Sequence, residues 1–138
     1  MVKRDKDADL FIIHAIRDQD EGPNSDFALS ACARKIYASR RERDKRSPLP
    51  GLFGEPAWDI LLDLFISYAE HKKISIMSAG LAAHASTTTA LRWVWALEDA
   101  HLVERKLDRS DKRRSYVSLA PEGLNYMRET LAKIRDQL

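Results

Sequence analysis

At 138 residues the chain is long enough for one compact domain with a real core and too short for two independent ones. Its 44% hydrophobic content is ordinary for a soluble globular protein, and no apolar run approaches the ~20 residues of a membrane helix, which excludes membrane insertion. The net charge of +2 hides two basic clusters, seven bases against two acids over Arg34–Arg46 and six against three over Glu104–Arg114, a distribution that suits a localised polyanion footprint or two solvated stretches.

Residues 1–25 read as an N-terminal arm. A charged start leads into the apolar run Leu10, Phe11, Ile12, Ile13, Ala15 and Ile16, and the arm closes in Gly22, Pro23 and Asn24. A run this short fits a strand or a helix. With Asp9 and Arg17 beside it and no small-residue cleavage site behind it, it is not read as an export signal.

Residues 26–54 form an N-terminal helix with a basic extension and a loop. Ser25 is a suitable N-cap and Asp26 a first-turn acid, and Leu29, Cys32, Ala33 and Ile36 share one face as the helix runs towards Arg46. The single cysteine, Cys32, cannot form an internal disulfide and is expected as a buried thiol in a reducing cytoplasm. The charged second half, Arg40 to Arg46, is expected to project from the core or lie along another surface, either reaching flanking phosphates or standing solvated. Ser47-Pro48-Leu49-Pro50-Gly51 breaks the helix.

A second helix opens at Glu55-Pro56, where proline suits a first turn. Trp58, Leu61, Leu62, Phe65, Tyr68 and Ala69 recur at helical spacing, with Asp59, Asp63, Ser67 and Glu70 expected on the outer face. Ile74-Ser75-Ile76 is a short strand or an extended lead-in. Two short helices follow, at about 77–84 and 86–100. The hydroxyls of Ser86, Thr87, Thr88 and Thr89 favour a helix start over an interior. Ala90, Trp93, Val94 and Leu97 are the expected buried stripe, leaving Thr87, Thr88, Leu91, Arg92 and Trp95 outward, although Trp95 also suits burial against a neighbouring helix.

The pattern then turns to strand, with Leu102 to Leu107, a polar tip from Asp108 to Arg113, and Ser115 to Leu119, which together read as a hairpin. In the last helix, residues 121–138, Leu124, Met127, Leu131, Ile134 and Leu138 alternate at three and four, a coiled-coil spacing. The whole is mainly α with a small β-wing, the order of a winged helix-turn-helix domain over 55–120 followed by a C-terminal helix suited to dimerisation.

Within that order, Leu81 to Gly123 resembles the MarR family of bacterial transcriptional regulators. Leu97-Glu98-Asp99-Ala100-His101-Leu102-Val103-Glu104-Arg105 resembles the end of that family's recognition helix passing into its first wing strand. Asp111-Lys112-Arg113 resembles its aspartate, any residue, arginine wing element, and Val117-Ser118-Leu119-Ala120-Pro121-Glu122-Gly123 its second wing strand and next helix. His101 stands where the family usually has a left-handed glycine, a conformation histidine adopts at modest cost.

The resemblance implies sequence-specific binding of double-stranded DNA by a cytoplasmic homodimer, with recognition helix 86–100 in the major groove and wing 104–119 in the minor groove. On that reading Arg92 contacts guanine, and Thr87 and Thr88 meet phosphate or thymine methyl. Arg113 enters the minor groove, Asp111 holds it by an ion pair, and Arg109, Lys112 and Arg114 reach phosphates. The family usually continues with two long helices after the wing. This sequence carries one, so dimerisation is expected from the C-terminal and N-terminal helices with the arm, and the family's ligand pocket is not carried over; no effector is assigned.

An enzyme and a protein-binding adaptor are the two other classes. The four histidines, His14, His71, His84 and His101, have no ligand spacing with one another or with Cys32. The five glycines form no phosphate cradle, so no catalysis, cofactor or metal is expected. A winged-helix adaptor that binds protein rather than DNA uses the same fold and is the alternative.

Overall fold

A computed structural model describes residues 22–138, and the expected arm lies outside the described residues except for its last positions. A 3-10 turn at Gly22–Asn24 leads into α1 (Asp26–Arg46), α2 (Pro56–Ala69), β1 (Ile74–Ser75), α3 (Ile76–Ala82), α4 (Thr87–Asp99), β2 (Val103–Leu107), β3 (Ser115–Leu119) and α5 (Pro121–Gln137).

Helix starts obey local chemistry. Ser25, Ser75 and Ser86 cap α1, α3 and α4, their hydroxyls accepting from the amides of Ala28, Ser78 and Thr89 at 3.1, 3.1 and 3.2 Å. Each cap satisfies an amide that has no partner within the helix. Pro56 and Pro121 open α2 and α5, where a missing amide costs nothing.

Helix ends share another device. Among the described residues, the non-glycine positions with positive φ are His71, His84 and His101, at 59°, 52° and 63°. They follow α2, α3 and α4, and in each case the histidine amide donates to the carbonyl three residues back. The next amide then donates to the carbonyl five back, as Lys72 to Ser67, Ala85 to Gly80 and Leu102 to Leu97. This is the Schellman closure, with histidine in the place usually held by glycine.

The three strands form an antiparallel sheet in the order β1-β3-β2, with Ile74 opposite Val117, Val103 opposite Leu119 and Leu107 opposite Ser115. The hairpin is thereby tied to the segment that leads into α3. The core centres on α2, whose Ile60, Leu62 and Phe65 are fully buried. Leu29 and Ala33 of α1, Val94 of α4, Val103 and Val117 of the sheet, and Met127 and Leu131 of α5 pack around it.

Several expectations are corrected. Asp59 and Ser67, placed by periodicity on the outer face of α2, are buried, because α2 is covered by α1 on the side that was expected to meet water. The charged half of α1 does not project. Arg40 is buried on Asp59, and Arg41 joins it there.

The buried stripe of α4 is Ala90, Val94 and Leu97 without Trp93, which is 39% exposed. One residue before Val94 lies about 100° around the helix, beyond a stripe this narrow. Trp95 is 50% exposed, so it does not bury against a neighbouring helix. In α5, Met127 and Leu131 lie in the core of their own subunit while Leu138 stands exposed, so the apolar seam expected between subunits is internal.

Candidate nucleic-acid interface

The α3–α4 pair can approach closely because of Gly80, where a Cβ would come within 2.9 Å of the Ala90 methyl. This fixes which side of α4 faces the core and which faces out. Thr87, Thr88 and Arg92 are exposed on the outer side, with Trp95 one turn further along. The Ser86 hydroxyl is committed to the cap, accepting from the Thr89 amide and donating to the Thr89 hydroxyl at 3.0 Å. The hydroxyls of Thr87 and Thr88 take no part in it.

The far end of α4 is braced to the hairpin. Arg105 of β2 donates through Nε and Nη2 to both carboxylate oxygens of Glu98, each at 2.9 Å. That fork holds the Glu98 carboxyl below its usual range and commits Arg105 to structure. Arg92, by contrast, has no acidic partner among the described residues.

The wing tip is built by two aspartates. Asp108 accepts from the Ser110 amide at 2.9 Å, the Ser110 hydroxyl at 2.7 Å and the Tyr116 hydroxyl at 3.2 Å. These bonds, those from Ser110 foremost, keep its carboxyl below the usual range. Asp111 accepts from the Arg113 amide at 3.0 Å, and Arg113 Nε stands 3.6 Å from the same oxygen. The Asp111–Arg113 pair expected from sequence is therefore present in the geometry, with the Arg113 side chain 94% exposed. Arg109, Lys112 and Arg114 are exposed around it.

Between the end of α2 and the hairpin runs a cleft of about 930 Å³. Lys72, Lys73, Lys106 and Arg109 line it beside Tyr68 and Tyr116, and Lys73 Nζ lies 5.6 Å from the centroid of the Tyr116 ring. Lys72, which pairs with Glu70 at 2.9 Å, and Lys73 carry the cationic lining from the wing to the end of α2, outside the two basic clusters counted in the sequence. Asp108 was also missed as a brace, although an aspartate two residues before a serine in a polar tip is a recognisable turn signal.

The first basic cluster is partly tied into the fold. Arg34 pairs with Glu70, Arg40 and Arg41 with Asp59, and Arg43 donates to the Phe53 carbonyl at 3.1 Å. Arg34, Lys35, Arg43, Lys45 and Arg46 stay exposed, the last two within 3.7 and 3.8 Å of Glu42. Arg40 and Arg41 are thus occupied internally, while the bases of α4 and the wing tip face outward.

No family model matches the chain. It is similar to the solved structure of AF1382 from Archaeoglobus fulgidus, with TM-score 0.54 and 19% identity, covering 62% of this chain and 91% of that one. S. aureus MepR in complex with DNA superposes with TM-score 0.51 and 20% identity, over 80% of this chain and 82% of that one. AbsC, a MarR family transcriptional regulator from Streptomyces coelicolor, gives TM-score 0.51 at 22% identity, over 73% of this chain and 65% of its own. A curated relative, a riboflavin kinase from Thermococcus kodakarensis, is 35% identical over 66 residues. That segment is 48% of this chain and 30% of the kinase, so the chain spans less than a third of that relative. The fold is the winged helix-turn-helix of the MarR type.

Proposed function

We propose that the chain is a sequence-specific DNA-binding protein that regulates transcription as a homodimer in the cytoplasm. Its α4 lies in the major groove and its wing in the minor groove. The observation that carries this reading is the separation of its arginines. Arg40 and Arg41 of α1 are paired with Asp59 inside the fold, while Arg92 on α4 and Arg109, Lys112, Arg113 and Arg114 on the wing are presented outward. MepR, of the same fold, is seen in complex with DNA.

In this arrangement Arg92 donates to a guanine edge, and Thr87 and Thr88 contact phosphate or a thymine methyl. Arg113 inserts into the minor groove with Asp111 restraining its swing, and Arg109, Lys112 and Arg114 neutralise phosphates. The exposed ring of Trp95 packs on sugar. Subunits pair through α1 and α5, which leave Phe27 and Tyr126 exposed while the seam of α5 is used internally.

Catalysis is not part of the reading. The kinase likeness covers a minor share of that enzyme, and the glycines here serve packing and turns, Gly80 against Ala90 and Gly123 against Leu102. No helix among the described residues is long and apolar enough to cross a membrane. A second reading, a protein-binding adaptor, draws on Met77 and Leu81 of α3, which are 66% and 72% exposed.

A salt titration of binding to random-sequence duplex separates the two. A DNA-binding protein with 6–10 phosphate contacts loses about 1,000-fold or more in affinity between roughly 50 and 200 mM salt, whereas an adaptor shows no duplex affinity to lose.

A further inference from the structure

Two donors from α1 converge on one carbonyl at the end of α3. Tyr37 Oη donates to the Ala82 carbonyl at 2.5 Å, and Arg41 Nη1 donates to the same oxygen at 3.0 Å. Ala82 is the last residue of α3, and the chain leaves it through Ala83 and left-handed His84 to reach Ser86, the cap of α4. Carbonyls at a helix C-terminus lack intrahelical partners and favour a cation, so the arginine suits its place.

Arg41 is itself held from two other sides. Its Nη2 donates to Asp59 Oδ2 at 2.9 Å and lies 3.0 Å from Asp44, and its guanidinium sits 4.9 Å from the centroid of the Tyr37 ring. Asp59 belongs to α2 and is gripped by Arg40 as well. Helices α1 and α2 therefore make a frame, and the Ala82 oxygen is the point at which this frame pins the end of α3. Arg41 Nε, buried without an acceptor, shows that the guanidinium is placed for its Nη contacts at the expense of its own full satisfaction.

We propose that Tyr37 and Arg41 are positioning residues for the recognition helix. Neither lies on its outward face, yet together they set the turn through which α4 is aimed. The proposal rests on the DNA reading above. Base-edge hydrogen bonds tolerate little displacement, whereas phosphate attraction is long-ranged and forgiving. A loosened pin therefore lowers affinity for a preferred sequence and leaves non-specific affinity alone.

The test uses the full chain with Tyr37→Phe, which deletes one donor without changing shape, and Arg41→Lys, which keeps charge beside Asp59 but loses the fork. Affinity is measured for a duplex selected from a random pool and for random-sequence duplex, together with amide exchange at Ala85 and Ala90. Each variant is expected to lose about three- to tenfold in the ratio of preferred to random affinity, the equivalent of one ordinary hydrogen bond. Random-duplex affinity and its salt slope stay constant, and both amides exchange faster than in the wild type. An unchanged ratio in both variants, at a temperature where both are fully folded, overturns the proposal. If the wild type binds no duplex, the DNA reading has failed. The exchange rates then decide the pin alone, and unaltered protection at Ala85 and Ala90 overturns it.

Discussion

Arg40 grips Asp59 with two hydrogen bonds, Nε to Oδ1 at 2.6 Å and Nη2 to Oδ2 at 3.2 Å, in a place where the carboxylate has no contact with water. Since Arg41 shares the same carboxylate, its removal takes away the buried charge that faces two guanidinium groups, leaving Arg40 only Glu55 at 3.3 Å and Arg41 only Asp44 at 3.0 Å. Asp59→Asn is expected to cost about 3 kcal/mol or more of folding stability. Urea denaturation checks this, and a loss below about 1 kcal/mol, the scale of an exposed pair, would mean that the carboxylate is not the anchor of α1 on α2.

The left-handed His101, at φ 63°, ends α4 where glycine would carry no Cβ penalty. His101→Gly is expected to stabilise the fold by about 1 kcal/mol, and His101→Val to destabilise it by at least as much, because β-branching is least tolerated at positive φ. Denaturation midpoints of the two variants on the same side of the wild type would contradict this account.

Gly123 lies in the first turn of α5 against the main chain that opens the hairpin. A Cβ there would fall 1.9 Å from the Leu102 carbonyl oxygen, which also accepts from the Ala120 amide at 3.0 Å. Gly123→Ala must push α5 off the base of the wing, at a cost of about 1–3 kcal/mol, the range for overpacking. Thermal melting reads the loss, and a substitution that leaves the melt unchanged would show that this close approach is slack.

Burial lifts the Asp63 carboxyl above its ordinary range. The folded chain thus keeps this proton to higher pH than the unfolded chain, so its contribution favours folding in acid and is lost as pH rises through the folded pKa. Asp63→Asn should melt higher than the wild type near neutral pH, with the difference shrinking as pH falls towards about 4. A pH-independent difference between the two curves would assign the effect to packing.

On the proposed interface, Arg92 and Arg113 have different tasks. Arg92→Ala is expected to cost about 1–3 kcal/mol on the preferred duplex and to relax choice at one base pair. Arg113→Ala should weaken binding to most sequences alike and make the salt slope shallower by about one. Competition against a panel of single-base variants separates them, and identical profiles would remove the division of labour.

Much of this architecture could be read from residues that act locally. Ser25, Ser86, Pro56 and Pro121 mark helix starts because a cap or a missing amide acts within one turn. The left-handed turn at His101 followed from the resemblance to a family that usually has glycine there, and the polar tip between two strand-like runs announced the wing. What could not be read depends on partners far along the chain. Nothing near Asp59 says that Arg40 will neutralise it from another helix, so periodicity put it in water. The seam of Met127 and Leu131 has the same appearance whether its partner is a second subunit or, as found, α1 and α2 of its own. Trp93 was misplaced for a related reason, since the width of an apolar stripe depends on how closely the facing helix approaches.

The Ser86 hydroxyl both accepts from and donates to Thr89, so the open end of α4 offers the main-chain amides of Thr87 and Thr88 beside their side-chain hydroxyls. No side-chain truncation deletes an amide. On the proposed interface, a scan of alanines along α4 is therefore expected to reach a floor, a residual sequence-blind grip that survives every single replacement. Proline at position 87 is the exception, because the first helical residue accepts proline's geometry while surrendering its N–H, and it would expose how much of the attachment belongs to no side chain at all.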